Sequence, residues 1–493
     1  YPRGDLRQMG RRVREFCAGN DGTLWFGTED KGLFNFNPED GKIKPFHHLE
    51  LGHNIHGLCL DGNSLWVGTF SDGLSHIDLR TNTLKHYSKG NALNTLNSDN
   101  IFSVCKTSTN DIWIGTTSGL LRYNRLSDDF LRIKELDNVF VYDILEDSYG
   151  KLWLATYSDG VFCYDLPQNR WKHYKWIPED STSLPYNKVI SIFEDSHKRI
   201  WFTTQGAGFC RFCPEADNFV CYDMTDGFPS NIVYKIVEDN EEKLWLTTNK
   251  GLVSFYPETG AKHIYTTANG LLSNQFNYQS GFKDDKGTIY LGSIDGFIAF
   301  NPYEFVENKQ VPSLALTDFF LFNKRSPIGV KASPLSKSIT YSDEIELSAE
   351  QNSFSLRAAV LSYQAPLSNV IVYKLEGYDK EWYTLEGGNS KISYSNLPYG
   401  SYTLRVKGAN SDGIWSLQER ILKIKVNPPF YLSWAAYTIY GVLSVLFILM
   451  GVYYFRKKSQ RKHLRAMEIL KYEKERELYT AKIDFFTNVA HEI

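Results

Sequence analysis

The sequence predicts a mainly all-β protein in which a seven-bladed β-propeller is followed by an immunoglobulin-like β-sandwich, one transmembrane α-helix and a cytoplasmic coiled-coil helix. Three observations predict it. A motif of the form LWxGT recurs seven times before residue 300, strand-like segments without that motif continue through residues 311–427, and residues 431–455 carry no charge at all. Composition agrees, since 42% of the 493 residues are hydrophobic and 15% aromatic, with 31 Tyr and 31 Phe broken up by 36 Gly. The net charge of -3 gives no basic field over the whole chain, so direct nucleic-acid contact is not expected.

The propeller, residues 1–310, rests on the repeat. Copies begin at Leu24, Leu65, Ile112, Leu152, Ile200, Leu244 and Ile289, each preceded by an alternating apolar strand and followed by a glycine: Gly32, Gly73, Gly119, Gly160, Gly208, Gly251 and Gly296. Two further strands complete most copies, as in the fourth-strand segments "LKHY" and "WKHY". Four short strands per unit of about 40–48 residues is the arithmetic of a propeller blade, which cannot bury both faces of its sheet until neighbours stack on it. The motif tryptophan, replaced by Tyr290 in the last copy, is expected between blades as packing. The seventh copy lacks a fourth strand after "FNP", and residues 1–10 or a region upstream are expected to supply it.

Loops joining the second and third strands of every blade gather on one face around the axis, where seven blades can converge on one ligand. Phe70, Asp72, Tyr157, Asp159, Gln205 and Asn249 are the candidates there, an aromatic and polar mixture suited to stacking on sugar rings and bonding hydroxyls. Ordinary turn chemistry explains Ser-Asp-Gly and Asn-Lys-Gly equally well, and Asp72 and Asp159 are two copies of one turn rather than a catalytic pair. The seven cysteines cannot all pair with one another. Cys17, Cys59 and Cys105 recur in three first strands as small core residues, and Cys210 and Cys213 have no second pair nearby, so no metal site is expected.

Residues 311–427 read as the sandwich, with Tyr402 as a tyrosine corner and Trp382 as the core plug. Residues 431–455 are long enough to cross a bilayer. Arg456, Lys457, Lys458, Arg461 and Lys462 follow at once, so the positive-inside rule places residues 456–493 in the cytoplasm and residues 1–430 outside it. Beyond the span, Ile469, Tyr472, Arg476, Tyr479, Ile483, Phe486 and Ala490 recur at alternating three and four, a heptad seam broken only by Arg476. His491 then falls on the solvent side with Glu492 beside it.

The seven-fold pattern resembles the regulator propeller repeats of two-component sensors. "YKLEGYDKEW" and "ISYSNLPYGSYTLRVKGANSDGIWS" resemble the Y_Y_Y module that follows such propellers, and "FFTNVAHEI" is similar to the H-box of sensor histidine kinases. By that resemblance His491 is the phosphoacceptor and Glu492 its acid/base partner. The resemblance also implies a periplasmic oligosaccharide ligand, a homodimer formed through sandwich, membrane helix and coiled coil, a bacterial inner-membrane location and a downstream receiver domain. ATP and Mg2+ would serve a kinase domain absent from this chain, which needs no cofactor of its own and reads as a piece cut from a longer protein. The rival readings are a membrane-anchored glycan-active enzyme, a lyase or hydrolase, and a glycan-binding lectin.

Overall fold

A computed structural model describes residues 10–491 apart from 49, 93, 305–307, 331–332 and 386–387. The chain divides into two compact units, one holding residues 1–310 with the loops 363–368 and 410–414, the other the remainder from residue 311.

The first unit is a propeller. Among the described residues six four-stranded antiparallel sheets and one three-stranded sheet each run in sequence order from an innermost to an outermost strand. The innermost strands are Val13–Ala18, Ile55–Asp61, Ile101–Lys106, Val141–Glu146, Val189–Glu194, Val233–Glu238 and Phe276–Lys283. They are neighbours in cyclic order, and Val13–Ala18 lies against Phe276–Lys283 to close the ring. Among the described residues the seventh blade has three strands, Phe276–Lys283, Ile289–Ser293 and Gly296–Phe300. Residues 1–9, expected to complete it, lie outside the described residues.

Each letter of the repeat has a physical duty. Trp66, Trp153, Trp201 and Trp245 are fully buried, and each works in the cleft to the next blade. Trp153, for example, meets Phe202 and Phe212 of blade five edge-on at 5.5 and 5.2 Å. Truncating such a side chain costs about 3–5 kcal/mol in a packed core. The acidic pair that ends the first strand ties blades together: Asp147, Asp195 and Asp239 each accept from the indole Nε1 six residues later in their own blade at 2.7–2.8 Å. The preceding glutamate reaches back instead, Glu146 accepting from Ser108 and Glu238 from Ser196 of the blade before. Fourth strands add a third clip: Tyr87 and Lys85 bond Asp128 of the next blade, and Tyr174 and Lys172 bond Asp217.

The motif threonine fixes the loop that follows. Thr28, Thr69, Thr116, Thr156, Thr204 and Thr248 donate through Oγ1, and Ser293 through Oγ, to the carbonyl of the repeat glycine at 2.7–3.1 Å. A Cβ on Gly160 would stand 2.2 Å from the Tyr174 carbonyl oxygen at φ +76°, which only glycine tolerates.

The second unit holds a sandwich of a four-stranded and a five-stranded sheet, antiparallel except where Glu344–Leu347 runs parallel to Arg420–Val426. Its core is built from Leu316, Phe319, Phe354, Leu356, Leu375, Leu404 and Leu422 among others. Tyr402 is the expected corner, its hydroxyl donating to the Pro398 carbonyl at 2.9 Å. Trp382 is not the core plug. It is 39% exposed, with Lys407 Nζ 5.1 Å above its ring. It stands just before the edge strand Tyr383–Leu385, so its side chain escapes the inward alternation that paired strands impose.

One helix, α1, runs unbroken from Trp434 to His491. It is long and apolar enough to cross a membrane. The helix starts at Trp434 rather than at residue 431, because Phe430–Leu432 form a 3-10 turn and the Ser433 hydroxyl accepts from the Ala436 amide at 3.3 Å as an N-cap. The side chain of His491 and all of Glu492 lie outside the described residues.

Candidate functional site

At the start of each innermost strand the ladder slips. Pairing jumps from Val13 to Glu15, Ile55 to Gly57, Ile101 to Ser103, Val141 to Asp143, Val189 to Ser191 and Val233 to Lys235. In the seventh blade it jumps from Phe276 to Gly281. Such a bulge re-aims the residue it leaves out. The residues left out are Arg14, His56, Phe102, Tyr142, Ile190 and Tyr234, with the segment 277–280 in blade seven. Phe102, Tyr142, Ile190, Tyr234 and Phe276 share one buried cluster, although they come from five successive blades. Only the axis offers five blades a common meeting point.

A second ring lies above the first, made by the residue after the motif threonine. Glu29, Phe70, Thr117, Tyr157, Gln205 and Ile294 hang their amides on carbonyls of the preceding inter-blade loops, as Tyr157 does on Phe140 at 3.0 Å. Asn249 holds the same place in blade six. Together the rings form a funnel with an aromatic wall. Tyr157 stacks on Phe140 at 4.9 Å, Phe140 meets Phe102 edge-on at 4.5 Å, and Phe70 stacks on His56 at 5.6 Å. Phe70 and Tyr157 are 40% and 41% exposed at the mouth, and Lys188 Nζ sits 3.7 Å from the Tyr157 ring centre.

Arg14 is the funnel's electrostatic centre. It is buried, donates from Nη2 to the Tyr142 hydroxyl across the axis at 3.0 Å and from Nη1 to Glu29 at 3.1 Å, and lies 5.2–5.8 Å from the ring centres of Tyr278, Phe102 and Tyr142. Burial works against the guanidinium charge, but Tyr142 and Glu29 outweigh it and raise its pKa. The same burial, reinforced by Arg14, drives His56 far below the usual histidine range, so its imidazole is neutral. Gln205 donates to the Tyr278 hydroxyl at 2.7 Å and Gln279 to the Tyr142 carbonyl at 2.7 Å.

Several polar atoms around the axis have no protein partner among the described residues: Arg14 Nε, His56 Nδ1, Ser191 Oγ, Gln279 Oε1 and Ser280 Oγ. Buried polar atoms without partners are costly, and water or a hydroxyl-bearing ligand could satisfy them. One stage deeper, Glu15, Asp143 and Lys235 face the axis, and Glu15 is pushed up to about 8, chiefly by burial.

Four sequence-expected residues, Phe70, Tyr157, Gln205 and Asn249, belong to the outer ring. Asn249 is engaged with Ser230, whose hydroxyl donates to its Oδ1 at 2.5 Å. Asp72 and Asp159 stand further along their turns, each with its amide on the motif threonine, and Asp159 pairs with Lys175 at 3.3 Å. The inner ring, with Arg14, His56, Phe102 and Tyr142, was not legible from repeat letters. Its signal was positional: the second residue of every first strand.

The model of the two component regulator propeller matches residues 95–118, 135–158 and 183–206, and that of the Y_Y_Y domain matches residues 362–427. The chain carries regulator propeller repeats and a Y_Y_Y domain. It is also 29% identical over 502 residues to histidine kinase P4 of Formosa agariphila, covering 99% of this chain but 36% of that protein. Among solved structures it is similar to the extracellular domain of the hybrid two component system BT3049 from B. thetaiotaomicron, at 23% identity and TM-score 0.39, over 84% of this chain and 68% of that one. Virginiamycin B lyase from Staphylococcus aureus is similar at 13% identity and TM-score 0.46, over 59% of this chain and 94% of that one. The three matched propeller segments fall in blades three, four and five, and the Y_Y_Y match falls on the sandwich strands from Val370 to Val426.

Proposed function

We propose that this chain is the sensing and membrane-coupling part of a two-component sensor histidine kinase, in which the propeller takes an oligosaccharide into its axial funnel and α1 carries the resulting change to His491. The observation that carries the ligand site is the convergence of aromatic faces and unpartnered polar atoms on the axis. Sugar rings present apolar faces and outward hydroxyls, the complement of such a surface. The kinase role is supported by the histidine kinase relative and by the helix that continues without interruption from the span to His491. In this reading residues 1–430 are periplasmic, the chain is a homodimer in the inner membrane, and a kinase domain using ATP and Mg2+ phosphorylates His491 with Glu492 as its acid/base partner. A receiver domain then accepts the phosphoryl group.

Calorimetry of the protein against a panel of oligosaccharides, with product analysis alongside, tests the ligand half. Binding without cleavage supports the sensor, whereas turnover converts it into the glycan-active enzyme and sinks the proposal. Phosphotransfer in the full-length protein tests the other half: His491→Gln abolishes labelling, and persistent labelling removes His491 from the role.

A further inference from the structure

Two cysteines outside the funnel stand apart from the other five. Cys210, on Phe209–Cys213, and Cys221, on Asn218–Tyr222, are direct partners across the third and fourth strands of blade five. Opposed residues of an antiparallel pair have Cα atoms about 4.5–5.5 Å apart. A disulfide needs roughly 4.4–6.8 Å, so an opposed pair such as this one falls within the Cα spacing that the bond requires. Both side chains turn to the same core, among Trp153, Phe202, Phe212 and Phe219. The remaining cysteines lack this arrangement. Cys17 and Cys59 point at the Ala18 and Leu60 carbonyls at 3.6 and 3.9 Å, Cys163 pairs across strands with Trp153 and Lys172, Cys105 with Trp113, and Cys213 with Asn218.

We propose that Cys210 and Cys221 form a disulfide that staples the outer strands of blade five, an inference that rests on the extracytoplasmic placement given above. The oxidant is the disulfide of a thiol–disulfide oxidoreductase of that compartment. The half-buried Cys221, as thiolate, attacks one sulfur of that disulfide and the other leaves as a thiolate. Cys210 then loses its proton and displaces the oxidoreductase from Cys221. Two protein thiols give up two protons and two electrons, and the oxidoreductase disulfide becomes a dithiol. Burial holds the Cys210 thiol well above the usual range, while Cys221 is only half-buried, which fits Cys221 as the first nucleophile.

The bond would act on the funnel through its own blade. Gln205, whose amide bonds Tyr278, hangs on the loop between the second strand of blade five and the strand that carries Cys210. Closing a short loop in the unfolded chain is expected to raise the melting temperature of the oxidised protein by roughly 5 °C over the reduced form.

The test treats intact cells expressing the full chain with N-ethylmaleimide, then denatures the protein in fresh N-ethylmaleimide so that buried thiols are also trapped, and ends with non-reducing peptide mass spectrometry. The expected result is a Cys210–Cys221 cross-link lighter by two hydrogens, with Cys17, Cys59 and Cys105 alkylated. In Cys210→Ser and Cys221→Ser the surviving partner becomes alkylated, and in Cys213→Ser the cross-link persists. Alkylation of both cysteines in the wild type overturns the proposal. Purified protein incubated with oxidised glutathione then locates the fault: cross-linking there shows that the compartment reading failed, and no cross-linking shows that the pair itself cannot close.

Discussion

Asp147 Oδ2 accepts a hydrogen bond from Trp153 Nε1 at 2.7 Å, while Trp113, the equivalent residue of the preceding blade, has no partner for its indole nitrogen among the described residues. The difference lies in one position. Thr107 stands where Asp147 does, with the same backbone bond closing the turn, but its hydroxyl is used within the turn. Asp147→Ala should therefore lower stability by about 1–3 kcal/mol, because a buried donor loses a charged acceptor. Thr107→Ala, whose indole is already unpaired, should cost less than about 1 kcal/mol. Thermal melting of the two variants side by side decides it, and equal losses would contradict the assignment.

Glu15 gives the propeller a pH dependence of defined sign. Burial raises its folded pKa to about 8, above that of an ordinary carboxylate, so between those values the folded state binds the proton more tightly than the unfolded chain. Stability from this group is complete in acid and is lost as pH climbs toward 8. Glu15→Gln should flatten the melting profile across pH 5–8 and gain on the order of 2 kcal/mol at pH 8, less than the full shift because the carboxyl is only half-buried by area. A wild-type midpoint that rises over that interval in parallel with the variant would refute it.

At the funnel mouth the outer-ring aromatics and the adjoining turn carboxylates should make separable contributions to the proposed oligosaccharide binding. Tyr157→Ala and Phe70→Ala should each weaken oligosaccharide binding by about 1–3 kcal/mol, the usual worth of an aromatic contact surface. Asp72→Ala should leave affinity within a factor of about two, since its turn is held through its amide rather than its carboxylate. Calorimetric titrations distinguish them, and a larger loss at Asp72 than at Tyr157 would move the site away from the axis.

Gly160 and Gly150 share φ +76° but differ in what surrounds them. A Cβ at Gly160 meets the Tyr174 oxygen at 2.2 Å, whereas at Gly150 nothing lies within 4 Å. Gly150→Ala should cost only the left-handed backbone term of about 1–2 kcal/mol. Gly160→Ala should exceed it by about 2 kcal/mol or more, because the fourth strand must be pushed away. Denaturant melts of the pair provide the measurement.

Much of this architecture was written in the sequence wherever one chemical duty repeats in every blade. Tryptophan, threonine and glycine recur because cleft filling, loop bonding and close strand approach are the same problem solved seven times. The inner ring was opaque for the opposite reason. Arg14, His56, Phe102, Tyr142, Ile190 and Tyr234 share a bulge position but no chemistry, so a search for recurring letters passes over them. Asp72 and Asp159 recur for a different reason, since each occupies the same turn with its amide on the motif threonine. Trp382 shows the remaining limit, since an aromatic residue reads as core unless the strand that would turn it inward is known to begin one residue later.

The helix from Trp434 to His491 contains 58 residues and no interruption, so it behaves as a stiff shaft. Among the described residues no kink or break interrupts it, so a rotation at one end has no joint along the helix to absorb it. Inserting a single residue below the bilayer would rotate everything beyond it by about 100°. Four inserted residues would return the phase nearly to its origin, about one turn plus 40°. If α1 couples the proposed sensor to its kinase, output should rise and fall with insert length in that rhythm, and output indifferent to insert length would contradict the coupling.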